Sequence, residues 1–291
     1  MCWMLRPGAG AARACRAGRV PIALLACVLL GASARADEPA GASASATAGS
    51  EGDHDVAAAA NNPLANLKAF NVQNYYIPEL TGTDGTANQL WFRYAQPIGT
   101  PIGDFLVRAS LPLVTVPTGV NTSESGLGDS NVFATWLIDV GNPAISVGVG
   151  PLAGFPTATA DSLGTDQWTL GAAAVYFDAR SQVVQWGALV TYSHKVGGSS
   201  RLPPENVLTA QPFGFVQVGK GFYFRSAPIW VFDLESGDYH VPIGLGAGKI
   251  VKVGSTVLNF FVEPQFTVLE SGPGRPKFQL FAALNLQFYG R

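Results

Sequence analysis

Three histidines stand in the chain, His54, His194 and His240, and in a sequence this poor in catalytic side chains they are the natural place to look for chemistry. His240 follows Asp238-Tyr239, and the carboxylate and imidazole could pair as a general base does in hydrolases. No serine nucleophile stands beside them in sequence. His54 lies in an acidic stretch and reads as solvated; His194 follows Tyr192 on an apolar parity and reads as interfacial. No HExxH, CxxC or paired-histidine spacing occurs, so no metal site and no cofactor is expected. Gly244-Leu245-Gly246-Ala247-Gly248-Lys249 faintly resembles a phosphate loop. That motif needs Gly at Ile243, Ser or Thr at Ile250 and a following helix. Alternating β-residues follow instead, so these glycines read as room for neighbouring side chains. The expectation is a protein that is not an enzyme; a membrane lipase or protease is the enzymatic alternative.

A second set of residues shares one parity of alternating segments. It contains Arg93, Arg108 and Arg225, the acids Asp129, Asp233 and Glu263, and the aromatics Trp91, Phe133, Phe213 and Phe261. Asn131, Gln211, Gln217, Asn259, Gln265 and Phe215 fall on it too. Unpaired charges in a poorly hydrated interior cost several kcal/mol. The charges therefore either pair and brace the interior, or Arg93 and Arg108 leave a positive potential that steers an anionic or phenolic solute. The aromatics either fill the interior or line a path for an amphipathic molecule.

The elements that must carry these residues are strands. About twelve segments of roughly ten residues, near 68–77, 88–97, 104–116, 128–138, 144–155, 167–177, 183–194, 207–217, 222–233, 240–251, 256–268 and 278–288, alternate apolar and polar positions. In the last, Phe278, Leu280, Ala282, Leu284, Leu286 and Phe288 oppose Gln279, Phe281, Ala283, Asn285 and Gln287. Connections alternate short (97–103, 139–143, 178–182, 218–221, 252–255) and long (79–87, 117–127, 156–166, 195–206, 234–239, 269–277). A soluble sandwich gives the same residue alternation. Strict alternation of loop length, and Trp136, Trp168, Trp186, Tyr192, Phe222, Phe224, Trp230 and Phe232 near the segment ends, instead predict an all-β, antiparallel transmembrane β-barrel with aromatic girdles. An even strand count returns both termini to one side.

The N-terminus reads as an export leader, residues 1–36. Arg6, Arg13, Arg16 and Arg19 precede an apolar run at 20–31, and Ala34-Arg35-Ala36 fits a cleavage site. A lipoprotein signal ending at Cys27 would leave apolar Val28-Leu29-Leu30 in the mature chain. Cys2, Cys15 and Cys27 all lie in the leader, so the mature chain has no thiol, which suits an oxidising periplasm. Removing five leader arginines leaves 13 basic against 20 acidic residues, a net charge of −7, which argues against nucleic acid as a partner. Residues 37–66, rich in Ala, Ser, Gly and Asn, read as a flexible periplasmic arm or a partial lumenal plug, and 67–291 as one barrel domain.

Several fragments together resemble a known family. They are Gly126-Leu127-Gly128-Asp129, Gly148-Val149-Gly150-Pro151, Pro156-Thr157-Ala158-Thr159, Leu163-Gly164 and Trp168-Thr169-Leu170-Gly171. Gln211-Pro212-Phe213, Ser226-Ala227-Pro228-Ile229, Val241-Pro242-Ile243-Gly244-Leu245-Gly246 and Gly248-Lys249-Ile250 continue the likeness. The chain resembles, over most of 62–288, the bacterial outer-membrane phenol meta-pathway degradation family of transporters, some members of which carry the label neuromedin U. The resemblance implies an outer-membrane barrel moving aromatic or hydrophobic compounds, and no catalytic residues. Partners then expected are outer-membrane lipid, the barrel-insertion machinery and a small-molecule solute. Such barrels end on an aromatic residue; here Phe288 is followed by Tyr289-Gly290-Arg291. The expected function is a channel or passive transporter for small hydrophobic or aromatic molecules, the alternative a non-transporting structural or adhesion barrel.

Overall fold

The computed structural model describes residues 60–288; residues 1–59, which hold the expected leader and His54, and residues 289–291 lie outside the described residues. Fifteen strands follow in order: β1 (Lys68–Leu80), β2 (Ala87–Thr100), β3 (Gly103–Gly119), β4 (Thr122–Leu127), β5 (Ser130–Ile138), β6 (Ile145–Phe155), β7 (Gln167–Asp178), β8 (Val184–Gly198), β9 (Asn206–Gly219), β10 (Phe222–Ser226), β11 (Trp230–Asp233), β12 (Tyr239–Gly244), β13 (Gly246–Val253), β14 (Thr256–Ser271) and β15 (Pro276–Phe288). All belong to one antiparallel sheet. β1 and β15 pair with each other at eleven positions, from Lys68–Phe288 to Leu80–Pro276, and so close it. Closure satisfies the ladder groups that an open sheet leaves bare at its edges.

The barrel has twelve staves, because three of them are interrupted: β4 and β5 at Gly128-Asp129, β10 and β11 at 227–229, and β12 and β13 at Leu245. Each sequence-predicted segment corresponds to one stave. Their ends run further than the apolar pattern suggests, up to 17 residues in β3, beyond the roughly ten that cross a bilayer. The segment 117–127, expected as a long loop, is laddered instead. β3 and β4 pair from Leu113–Leu127 to Gly119–Thr122 around a tight Val120-Asn121 turn. Connections at that end are long excursions but not all long unpaired loops, because hairpins satisfy their own backbone in water and a polar stretch need not be irregular. At the opposite end Lys220-Gly221 makes a two-residue turn with both φ angles positive (53° and 76°), the geometry that matches strand twist in a tight hairpin.

Period-two alternation sets the two faces. In β15 Gln279, Phe281 and Gln287 are buried while Leu284 and Phe288 are exposed. Aromatics sit on the outer face at two levels. Tyr176 and Trp186 lie 5.4 Å apart near the end that carries both termini. Phe155 with Trp168 (5.6 Å) and Phe266 with Phe278 (4.9 Å) lie near the far end. Among the described residues no helix is long and apolar enough to cross a membrane.

Candidate functional site: the barrel lumen

Residues 60–67 lie inside the barrel at the terminal end. Asn62 Nδ2 donates to Ser146 Oγ of β6 (2.9 Å), and Asn61 Nδ2 to Gln185 Oε1 of β8 (3.3 Å). Asn259 of β14 and Gln287 of β15 donate to the Ala60 carbonyl (3.1 and 3.3 Å). Leu64 is buried against Gly148, where an added Cβ would sit 3.1 Å from Leu64 Cδ1. The segment therefore touches β6 and β8 on one side of the barrel and β14 and β15 on the other, and spans the mouth between them.

Above it lies a cavity of about 150 Å³. Arg93, Arg108 and Arg225 line it with Phe213, Phe215, Phe261 and Phe281, and with the amides of Asn71, Gln73, Gln211, Asn259, Asn285 and Gln287; among the described residues no carboxylate lines it. Strand parity explains the set: in β2, Trp91 and Arg93 stand two apart, and in β3, Arg108 lies diagonally across from Arg93, beside its partner Ser110. Arg93 Nη1 donates to Gln73 Oε1, and its guanidinium lies 5.0 Å from the Trp91 ring centroid. The Arg108 guanidinium lies 4.1 Å over Phe133. Such cation–π contacts offset part of the cost of desolvating an interior charge.

Arg225 is paired. Its Nε donates to Glu263 Oε2 at 2.7 Å, and its guanidinium lies 3.4 Å from the Phe261 centroid. Glu263 is fully buried and accepts from Gln265 Nε2 (2.8 Å), while Gln279 Nε2 donates to Gln265 Oε1 (2.6 Å). Tyr75 stacks on Phe281 at 4.2 Å, and Phe281 meets Phe261 edge-on at 4.9 Å. With Trp91 and Gln89 also buried, these side chains fill the lumen beyond the cavity.

The other two acids work elsewhere. Asp129 accepts from the backbone N–H groups of Ala158 (3.1 Å) and Thr165 (2.8 Å) and fixes the 156–166 loop. Asp233 accepts from Glu235 and Ser236 N–H (3.0 and 3.1 Å). The expected bracing of arginines by acids is therefore met in the Arg225–Glu263 pair, while Asp129 and Asp233 bind loop amides instead. A buried carboxylate at a strand end finds adjacent N–H donors more readily than a guanidinium across the lumen. Leu163 of the 156–166 loop is buried against Val114 and Val116 on the inner face of β3, so this loop folds into the far mouth.

Asp238 and His240 do not pair. Asp238 binds Arg275 at 2.9 Å, and His240 Nε2 shares a 2.8 Å hydrogen bond with Thr267 Oγ1. His194 is exposed on the outer face. Among the described residues no group of histidines, cysteines and acids is placed to hold a metal. Lys249 lies 3.7 Å from the Phe222 ring centroid, a cross-strand pair; Gly248 leaves room for the Tyr223 ring. The arm residues, the Phe215–Tyr223 contact (5.9 Å) and the Tyr223–Asn259 hydrogen bond (2.5 Å) carried no sequence signal beyond parity.

No family profile matches the chain, and no curated protein matches it in sequence. Solved structures do. An outer membrane channel from Pseudomonas putida F1 superposes with a TM-score of 0.58 at 14% identity, over 78% of this chain and 99% of that one. NanC porin follows at TM-score 0.48 and 11% identity, over 76% and 100%, and KdgM porin in complex with disordered oligogalacturonate at 0.43 and 8%, over 77% and 99%. What the chain shares with the first of these is its fold, a closed antiparallel β-barrel.

Proposed function

We propose that the chain is an outer-membrane channel that admits small aromatic or amphipathic molecules, exported through its leader and inserted with residues 60–67 at the periplasmic end. The observation that carries the reading is the cavity: about 150 Å³, a size at which an apolar protein cavity holds one benzene ring. Four phenylalanines supply its apolar wall. Arg225 is neutralised by Glu263, and Arg93 and Arg108, with no carboxylate among the described lining residues, favour a solute with a negative or electron-rich group. Two aromatic levels on the outer face, and exposed aliphatic residues between them, fit a bilayer. The fold shared with an outer membrane channel agrees with this placement.

The test is reconstitution of the mature chain in planar bilayers, with ionic current and selectivity recorded with and without a benzoate gradient. Anion-biased current, or flux of the aromatic anion, is the expected result. A folded barrel that passes neither supports the second reading, a non-transporting barrel. That reading draws on the filled lumen above the cavity and the segment spanning the mouth below it.

A further inference from the structure

A lysine stands on the lipid side of the wall, near the end that carries both termini. On β13 Gly246, Gly248 and Ile250 are buried, which leaves Ala247, Lys249 and Val251 on the outward parity. Lys249 is the ladder partner of Phe222 on β10, and its Nζ lies 3.7 Å from the Phe222 ring centroid. Phe222 is the first strand residue after the Lys220-Gly221 turn. The ammonium is therefore held beside that turn, at the level of the aromatic girdle and not at the hydrocarbon midplane. Among the described residues, the side chains of Lys249 and Lys220 enter no ion pair.

The sheet is also irregular here. Phe222 opposes Gly219 and Tyr223 opposes Gln217, so Val218 is an extra residue with no partner on β10, and such a bulge bends its strand. Beside it runs a groove of about 460 Å³, lined by Val218, Lys220, Phe222, Phe224 and Ala247. Val218, Phe222 and Phe224 are about half exposed. An apolar bed thus ends at two ammonium groups, Lys220 in the lining and Lys249 against the Phe222 ring. The charges around this end of the barrel are sorted as well. The turns between β2 and β8 carry Asp104, Asp139 and Asp178, the last paired with Arg180. The arc from β9 through the β13–β14 turn to β15 and β1 carries Lys220, Lys249, Lys252 and Lys68, and among the described residues it carries no acid.

We propose that this groove seats one anionic phospholipid of the periplasmic leaflet, its acyl chain on Val218, Phe222 and Phe224 and its phosphodiester on Lys220 and Lys249. A charge on a lipid-facing wall is costly unless a counter-charge meets it. With no carboxylate on this arc, the lipid headgroup is the anion at hand, and basic side chains at a membrane surface draw anionic lipid. A zwitterionic headgroup brings its own cation to the two lysines; a phosphatidylglycerol headgroup brings none. Free phosphate has no chain to cover the apolar bed. The proposal rests on the orientation given above, with residues 60–67 at the periplasmic end, and it requires no solute to pass through the barrel. The bound lipid would tie this arc of the rim to the headgroup level while the acidic arc opposite stays in water.

The folded mature chain in a non-ionic detergent is titrated with phosphatidylglycerol, or with phosphatidylcholine of the same acyl chains, and bound lipid is counted by native mass spectrometry. One phosphatidylglycerol is expected to bind more tightly than phosphatidylcholine, by about fivefold per lysine and roughly 25-fold for the pair. Lys220→Asn suits the positive φ of that turn position (53°), and Lys249→Met keeps an apolar stem on Phe222. Each is expected to lose about fivefold of the preference, and the double variant all of it, with heat-modifiable migration checking the fold. Lys277→Met, at the far end, is expected to change nothing. In the unaltered protein in vesicles, acetylation of Lys220 and Lys249 is expected to be slower in phosphatidylglycerol than in phosphatidylcholine, with Lys195 and Lys277 alike in both. Equal affinity for the two lipids, a preference that survives the double variant, displacement of the lipid by inorganic phosphate, or acetylation indifferent to the lipid overturns the site. None of these readings depends on current or flux, so a barrel that conducts nothing would leave the site standing.

Discussion

Arg225 and Glu263 form an ion pair inside the barrel, 2.7 Å from Nε to Oε2 and with side chains only 7% and 0% exposed. Breaking such a pair from one side strands a buried charge and costs about 3–5 kcal/mol, whereas replacing both partners with apolar residues is often neutral. Glu263→Leu is expected to lower the temperature at which the heat-modified band appears in detergent. Arg225→Met/Glu263→Leu should recover most of that loss. Glu263 also accepts from Ala227, so full recovery would show that this second bond contributes little.

Facing on β15 is tested by two neighbours. Leu284 is exposed on the outer surface at 40%, and Asn285 lines the cavity. Leu284→Arg places a charge against lipid at about 2–4 kcal/mol and is expected to reduce the folded, heat-modifiable fraction. Asn285→Arg should assemble. Equal folded fractions for both variants would show that the facing is inverted.

Gly148 makes room for Leu64 of the segment in the mouth. Its φ is not in the left-handed region, so Gly148→Ala strains no backbone; the added methyl presses on Leu64 at 3.1 Å and on Thr135 Cβ of β5 at 3.2 Å, and of the two Leu64, outside the sheet, is the one free to move. Single-channel current is expected to rise, with barrel stability little changed. Unaltered current would mean that residues 60–67 do not limit passage.

Arg93 and Arg108 line the cavity, and no acid is among its described lining residues. Arg93→Gln/Arg108→Gln is expected to shift the reversal potential in a salt gradient towards cation selectivity, because two positive charges leave a narrow, weakly screened interior. Retained anion preference would assign the arginines to bracing Trp91 and Phe133 alone.

Glu205, in the loop before β9, accepts from Ser193 Oγ at 2.7 Å, and burial pushes its carboxyl above the ordinary range, with the Ser193 bond opposing. The folded state therefore holds this proton more tightly than the unfolded chain. Its contribution to stability is complete below the ordinary carboxylate pKa, about 4.3, and is lost as pH rises through the elevated folded value. Protection of the amides of residues 199–205, taken relative to their intrinsic exchange rate at each pH, should be higher in mild acid than at neutral pH, and Glu205→Gln should abolish that difference.

Alternation along the chain was enough to define the staves and their faces. Gln279, Phe281 and Gln287 against Leu284 and Phe288 is a local pattern of period two, and each strand carries it whatever its neighbours are. The inward parity of Trp91, Phe133, Phe213, Phe261 and Glu263 follows from the same rule. What parity cannot contain is which inward side chains meet. Arg225 finds Glu263 across 38 positions of sequence, and Asp129 finds the 156–166 loop and not an arginine, because those choices depend on register and closure. The laddering of 117–127 was hidden because a polar hairpin in water looks like a loop. Asn61 and Leu64 sit in a small-residue stretch with no periodicity, and their place in the mouth is set by amides and a glycine on distant staves. The prolines at 212, 228 and 242 are plain in the sequence, each an ordinary strand irregularity by itself. Only the sheet register brings them to one level of the wall, where 227–229 lack ladder pairs to β9 and 226–230 lack them to 241–245.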